Sequence, residues 1–227
     1  GTVYSAALAQ AAQPQGPGVV ILPDVRGLYR FYVELAERFA EAGHHAIAVD
    51  YFGRTAGVGE RDEDFEFMPH VAQTEVGQVQ ADAATALATL RERTGASSAV
   101  TVGFCFGGTQ SYMAATNPTL GFDGYVAFYG ALHSRRPSMP SVLDHVSEMR
   151  GPILGLFGGA DDHILPDQVA ELEAGLTETG VEHEIHTYPG APHSFFDRKY
   201  EEFQDDCADA WRRVLGFLDK IGAATTV

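Results

Sequence analysis

The stretch Ala99-Val-Thr-Val-Gly103-Phe-Cys105-Phe-Gly107-Gly108 limits what this chain can fold into more than any other. It runs from an apolar, β-branched segment into a tight turn bounded by glycines, then into Thr109-Gln-Ser-Tyr-Met-Ala-Ala, which reads as helix. A strand, a sharp turn with one reactive side chain at its tip and a helix together form a nucleophile elbow, here G-x-C-x-G in place of G-x-S-x-G. The tip residue of such a turn is held in a strained conformation, and side chains at Gly103 and Gly107 would crowd it. The following helix aims its free N–H groups at the same point, which favours a thiolate at Cys105 and an oxyanion beside it.

The rest of the chain alternates in the way such an elbow needs. Val3–Leu8 reads as an edge strand. Gly18–Leu22 is a short, fully apolar run, the mark of a buried parallel strand. It ends in the loop Pro23-Asp24-Val25-Arg26-Gly27. A helix is expected over Phe31–Ala42, a strand over His45–Val49, a long irregular segment over Thr55–Gln73 and a helix over Thr74–Arg93. Beyond the elbow, strands are expected at Gly124–Phe128, Pro152–Phe157 and Glu182–Tyr188. Helices follow at Asp167–Thr179 and from about Tyr200 to Lys220, while Ala131–Met149 fits neither pattern. Alternating strands and helices imply a mostly parallel sheet covered on both faces, with ligands bound beyond the carboxyl ends of its strands.

At 227 residues, one domain spanning 1–227 is the simplest organisation. A net charge of −16 argues against nucleic acid or an anionic membrane surface as partner. No apolar run reaches membrane-spanning length. The N-terminus lacks a basic segment followed by an apolar core, so no signal peptide is expected. The two cysteines, Cys105 and Cys207, lie in an elbow and in a predicted helix, which fits two free thiols in a reducing, cytoplasmic setting. The composition is compatible with a monomer or a homodimer.

Three strand-end loops carry the parts of a nucleophilic triad in the order nucleophile, acid, histidine: Cys105, an aspartate at 161 or 162, and His193. Both aspartates lie on the loop between Gly158 and Pro166. The glycine turn sets where the loop leaves its strand, which favours Asp161. The backbone N–H groups of Val25 and Phe106 are the expected oxyanion donors. No metal-ligand pattern and no cofactor motif stands out.

Taken together, G-x-C-x-G-G, G-x-x-D-x-x-x-x-P and Tyr-Pro-Gly-Ala-Pro-His-Ser-Phe resemble the dienelactone hydrolase family of α/β-hydrolases, from Gly18 to the last helix. The resemblance implies an α/β-hydrolase fold, a Cys–His–Asp triad and hydrolysis of a small-molecule lactone or ester, with no cofactor. For the acid, the family's G-x-x-D spacing counted from Gly158 selects Asp161, and its gap counted back from Pro166 selects Asp162. It also implies that Asp24, where family members more usually carry Glu, modulates the thiol. Family members that cleave dienelactone bind its carboxylate through Arg, and Arg54, Arg61 and Arg198 are candidates for that role. Two rival readings keep the same fold: a ligand-binding or thiol-sensing protein without turnover, and an acyltransferase.

Overall fold

The computed structural model describes residues 2–134 and 139–225. Its centre is a seven-stranded sheet: β1 Ala6–Ala9, β2 Gly18–Leu22, β3 Ala46–Val49, β4 Ala99–Phe104, β5 Gly124–Phe128, β6 Ile153–Gly158 and β7 His183–Tyr188. The spatial order is β1-β3-β2-β4-β5-β6-β7. Only the edge strand β1 runs antiparallel, against β3. Strands β2 to β6 are buried at every residue, as their unbroken apolar runs require when both faces are covered.

The longer helices are α1 Arg30–Glu41, α4 Val76–Thr94, α5 Phe106–Ala115, α6 Pro166–Thr179 and α7 Gln204–Thr225. The step β2–α1–β3 moves one way across the sheet, and β3–α4–β4 moves back the other way. Right-handed crossovers therefore put α1 and α4 on opposite faces. Trp211 of α7 packs on Phe39 of α1, their rings 4.8 Å apart. On the other face, Gln80 of α4 donates to the Met113 carbonyl of α5 at 2.9 Å. All ten residues of α5 are buried.

Several boundaries differ from expectation. The irregular segment 55–73 is interrupted by one-turn helices, α2 Gly53–Ala56 and α3 Met68–Val71. The last helix begins at Gln204, because residues 193–202 form turns, and it continues to Thr225. Within 131–149 there is a 3-10 helix, Leu143–Glu148, and residues 135–138 lie outside the described residues. The face of α4 read as apolar also buries Asp82, which Arg54 grips through both carboxylate oxygens.

Strand β2 is the point where the direction of crossover reverses. Its partners β3 and β4 flank it, with Leu22 opposite Gly103. The loops leaving β2 and β4 therefore diverge side by side and open a crevice, the usual ligand position in such sheets. Asp24, Val25, Cys105, Asp161 and His193 lie on loops at the carboxyl ends of the strands, and Phe106 opens the helix that follows the elbow.

Candidate active site

The elbow is built by contact distance. A Cβ on Gly103 would come within 2.0 Å of the Gly107 carbonyl oxygen, and one on Gly107 within 1.9 Å of the Leu22 oxygen. No methyl fits at either position. Strand β4 and helix α5 meet so closely that Cys105 takes φ 52° and ψ −110°, a strained conformation for a residue with a side chain. Its N–H is fixed by the Phe128 carbonyl at 3.0 Å. Phe106 is the first residue of α5, so its own N–H has no acceptor within the helix.

His193 comes from the loop after β7. Close backbone packing of Gly158 and Gly159 against residues 189–192 brings that loop beside the end of β6. The Nδ1 of His193 lies 2.6 Å from Oδ2 of Asp161. The other carboxylate oxygen accepts the N–H groups of His163 at 2.8 Å and Ile164 at 3.3 Å. Of the two aspartates considered, Asp161 thus meets the imidazole, while Asp162 is exposed to solvent. The His193 ring lies between Tyr129, centroids 5.1 Å apart, and His163, 5.6 Å and nearly perpendicular.

The charges oppose burial and win. Burial alone would push the His193 imidazolium down, but hydrogen bonds to Asp161 and Cys105, and the charges of both, raise it to about 10. Burial likewise works against the Asp161 carboxylate, yet its bonds from His193, His163 and Ile164 hold it below the usual range. Both shifts describe a ring that holds its proton against the Asp161 carboxylate.

Cys105, His193, Val25 and Phe106 line one cavity of about 250 Å³. Its other described walls pair apolar residues such as Met139 and Ile164 with the polar Thr109, His133, Ser134 and His163. The remaining sequence candidates sit elsewhere. Arg54 is engaged by Asp82, and Arg61 is a buried partner of Asp50 at 2.7 Å. Arg198 is half exposed, lies 3.6 Å from Asp24 and lines a neighbouring cleft with Phe65 and Phe67. The structure does not bring Arg54, Arg61 or Arg198 to the cavity wall. Asp24 is buried beside the site and bound to Arg26, with Nε 3.0 and 2.9 Å from its two oxygens.

Tyr129 was not singled out by the sequence. Its φ of 38° is unusual for a residue with a side chain, its buried hydroxyl has no hydrogen-bond partner among the described residues, and its ring braces His193. The available signal was Tyr129-Gly130 at the end of β5, where Gly130 abuts the backbone of Gly108 and Thr109 in the elbow helix.

The dienelactone hydrolase family profile matches residues 4–222. A candidate carboxymethylenebutenolidase of Synechocystis sp. is 29% identical over 209 residues, covering 88% of this chain and 84% of its own. One from Escherichia coli strain K12 is 29% identical over 219 residues, covering 91% and 78%. The crystal structure of a candidate dienelactone hydrolase from Klebsiella pneumoniae superposes with a TM-score of 0.82 at 26% identity, covering 95% of this chain and 92% of its own.

Proposed function

We propose that this chain, which belongs to the dienelactone hydrolase family, hydrolyses a small carboxylic ester or lactone through Cys105, His193 and Asp161. One observation carries the reading: at a cavity wall, a strained cysteine at a helix N-terminus shares a charged imidazole with a buried aspartate.

In this reading the Cys105 thiolate attacks the carbonyl carbon and forms an S–C bond. The developing oxyanion is met by the N–H groups of Val25 and Phe106. As the C–O bond breaks, the His193 imidazolium donates its proton to the leaving oxygen. Asp161 keeps the ring in the correct tautomer throughout. Acylation consumes the thiolate, so the hydrogen bond and charge that Cys105 lends to His193 vanish. Burial and Asp161 then set the ring by themselves, and it becomes a neutral base. It takes a proton from water, the hydroxide attacks the thioester and the S–C bond breaks. The acid product leaves, with thiolate and imidazolium restored. In a lactone the leaving oxygen stays tethered to the acyl group, so a single ring-opened product results.

The names of the relatives support a lactone as substrate. The test is turnover of a panel of lactones and aryl esters by wild type and by Cys105→Ala. The variant is expected to lose activity by about 10⁴-fold or more while melting within a few degrees of wild type. Retention of activity by Cys105→Ala would overturn the reading.

A further inference from the structure

The loop bearing Val25 and the loop bearing His193 approach Cys105 from different strands, and the Arg26 side chain ties one to the other. We propose that Arg26 is a positioning residue that holds these two loops in register. The inference rests on the hydrolase reading above.

Arg26 follows Val25 directly. Its Nε faces both oxygens of Asp24, and its Nη2 lies 2.8 Å from Oδ2 of the same residue. The same Nη2 donates to Oδ2 of Asp197, in the His193 loop and 171 positions away. The two carboxylate side chains are 3% and 8% exposed and the guanidinium side chain 15%, so water screens the cluster little. The geometry on the β2 side is tight. Asp24 Oδ1 accepts the Arg26 N–H at 2.8 Å, and Tyr51 donates to the carbonyls of Pro23 and Asp24. The peptide that presents the Val25 N–H is thus pinned on both sides. On the His193 side, Asp197 N–H donates to the Ser194 carbonyl at 3.3 Å, and Ser194 itself takes φ 58°.

Two carboxylate side chains that water barely reaches meet on one partly buried cation. Arg198 adds only a looser contact to Asp24 at 3.6 Å from a half-exposed side chain. Without Arg26, Asp24 and Asp197 would repel each other across the joint between the loops. The Val25 N–H would then move relative to the tetrahedral centre, and a displacement of about 1 Å can cost about 10²-fold in rate.

A positioning role through the oxyanion loop makes a prediction that a general folding role does not. Alkylation of Cys105 by iodoacetamide forms no oxyanion, whereas ester turnover does. Arg26→Gln is expected to lower kcat on an activated aryl ester by about 10²-fold while KM and the alkylation rate stay within about threefold of wild type. Asp197→Asn leaves the Asp24–Arg26 pair in place and is expected to lower kcat by about 10-fold. It decides the matter if Arg26→Gln does not fold. Unchanged kcat in the folded variants would overturn the proposal, as would a loss carried by KM or a parallel fall in alkylation. Failure of the hydrolase reading is seen separately, as wild-type protein without turnover or Cys105→Ala with it.

Discussion

The molecule contains the same chemical group in two settings, and they are opposites. Cys105 sits on a strained turn, partly open to a cavity, with a charged imidazole beside it. Cys207 sits inside α7, buried, its Sγ donating to the Phe195 carbonyl at 3.4 Å. Burial and the nearby Asp206 push the Cys207 thiol up to about 11. A thiol becomes a nucleophile through the charge and access its surroundings supply. Cys207 instead ties the last helix to the turns that follow His193, so it serves the site only as packing.

This contrast can be broken or sharpened by experiment. Iodoacetamide is expected to label Cys105 about 10³-fold faster than Cys207 in the native protein, as mass spectrometry of peptides would show, and the two equally in urea. Equal labelling of the native protein would break the comparison.

Asp161→Asn removes the acceptor that holds the ring and is expected to lower kcat/KM by about 10³-fold. Asp162→Asn, at a solvent-exposed position, should leave it within about twofold. Steady-state kinetics of the pair separates two residues that are adjacent in the chain and unlike in space.

The pH profile follows from His193, raised from 6.5 to about 10 in the folded protein. A raised value means that the bound proton stabilises the fold fully below pH 6.5, and that this contribution fades as pH rises through about 10. The acylation rate, read by stopped flow, is expected to fall as pH passes about 10 and His193 loses its proton. In Asp161→Asn the fall should come at lower pH. The smallest effect belongs to Cys207→Ala. It should cost about 1 kcal/mol, seen as a melting shift of about 2–4 °C, with near wild-type turnover.

The elbow was readable in the chain because its constraint is local: two glycines two residues either side of a tip, after a run of β-branched residues. The sheet was readable for a similar reason, since unbroken apolar runs at Gly18, Gly124 and Pro152 have few other uses. Choosing between Asp161 and Asp162 by counting gave two answers, because spacing fixes the loop and not the direction of a side chain. The arginines were hardest to read. Arg54 finds Asp82, 28 positions on, and Arg26 finds Asp197 far down the chain, so neither partnership leaves a local trace. Asp82 was hidden by its place on an otherwise apolar helical face.

The close meeting of Gly103, Gly107 and Leu22 has a further consequence. The glycines two residues either side of the tip are hemmed in by backbone atoms, yet the tip side chain itself faces a cavity. The turn therefore works like a fixed socket with an interchangeable bit. Sulfur could give way to oxygen at position 105 with the scaffold undisturbed, while the smallest change two seats away would jam the mount.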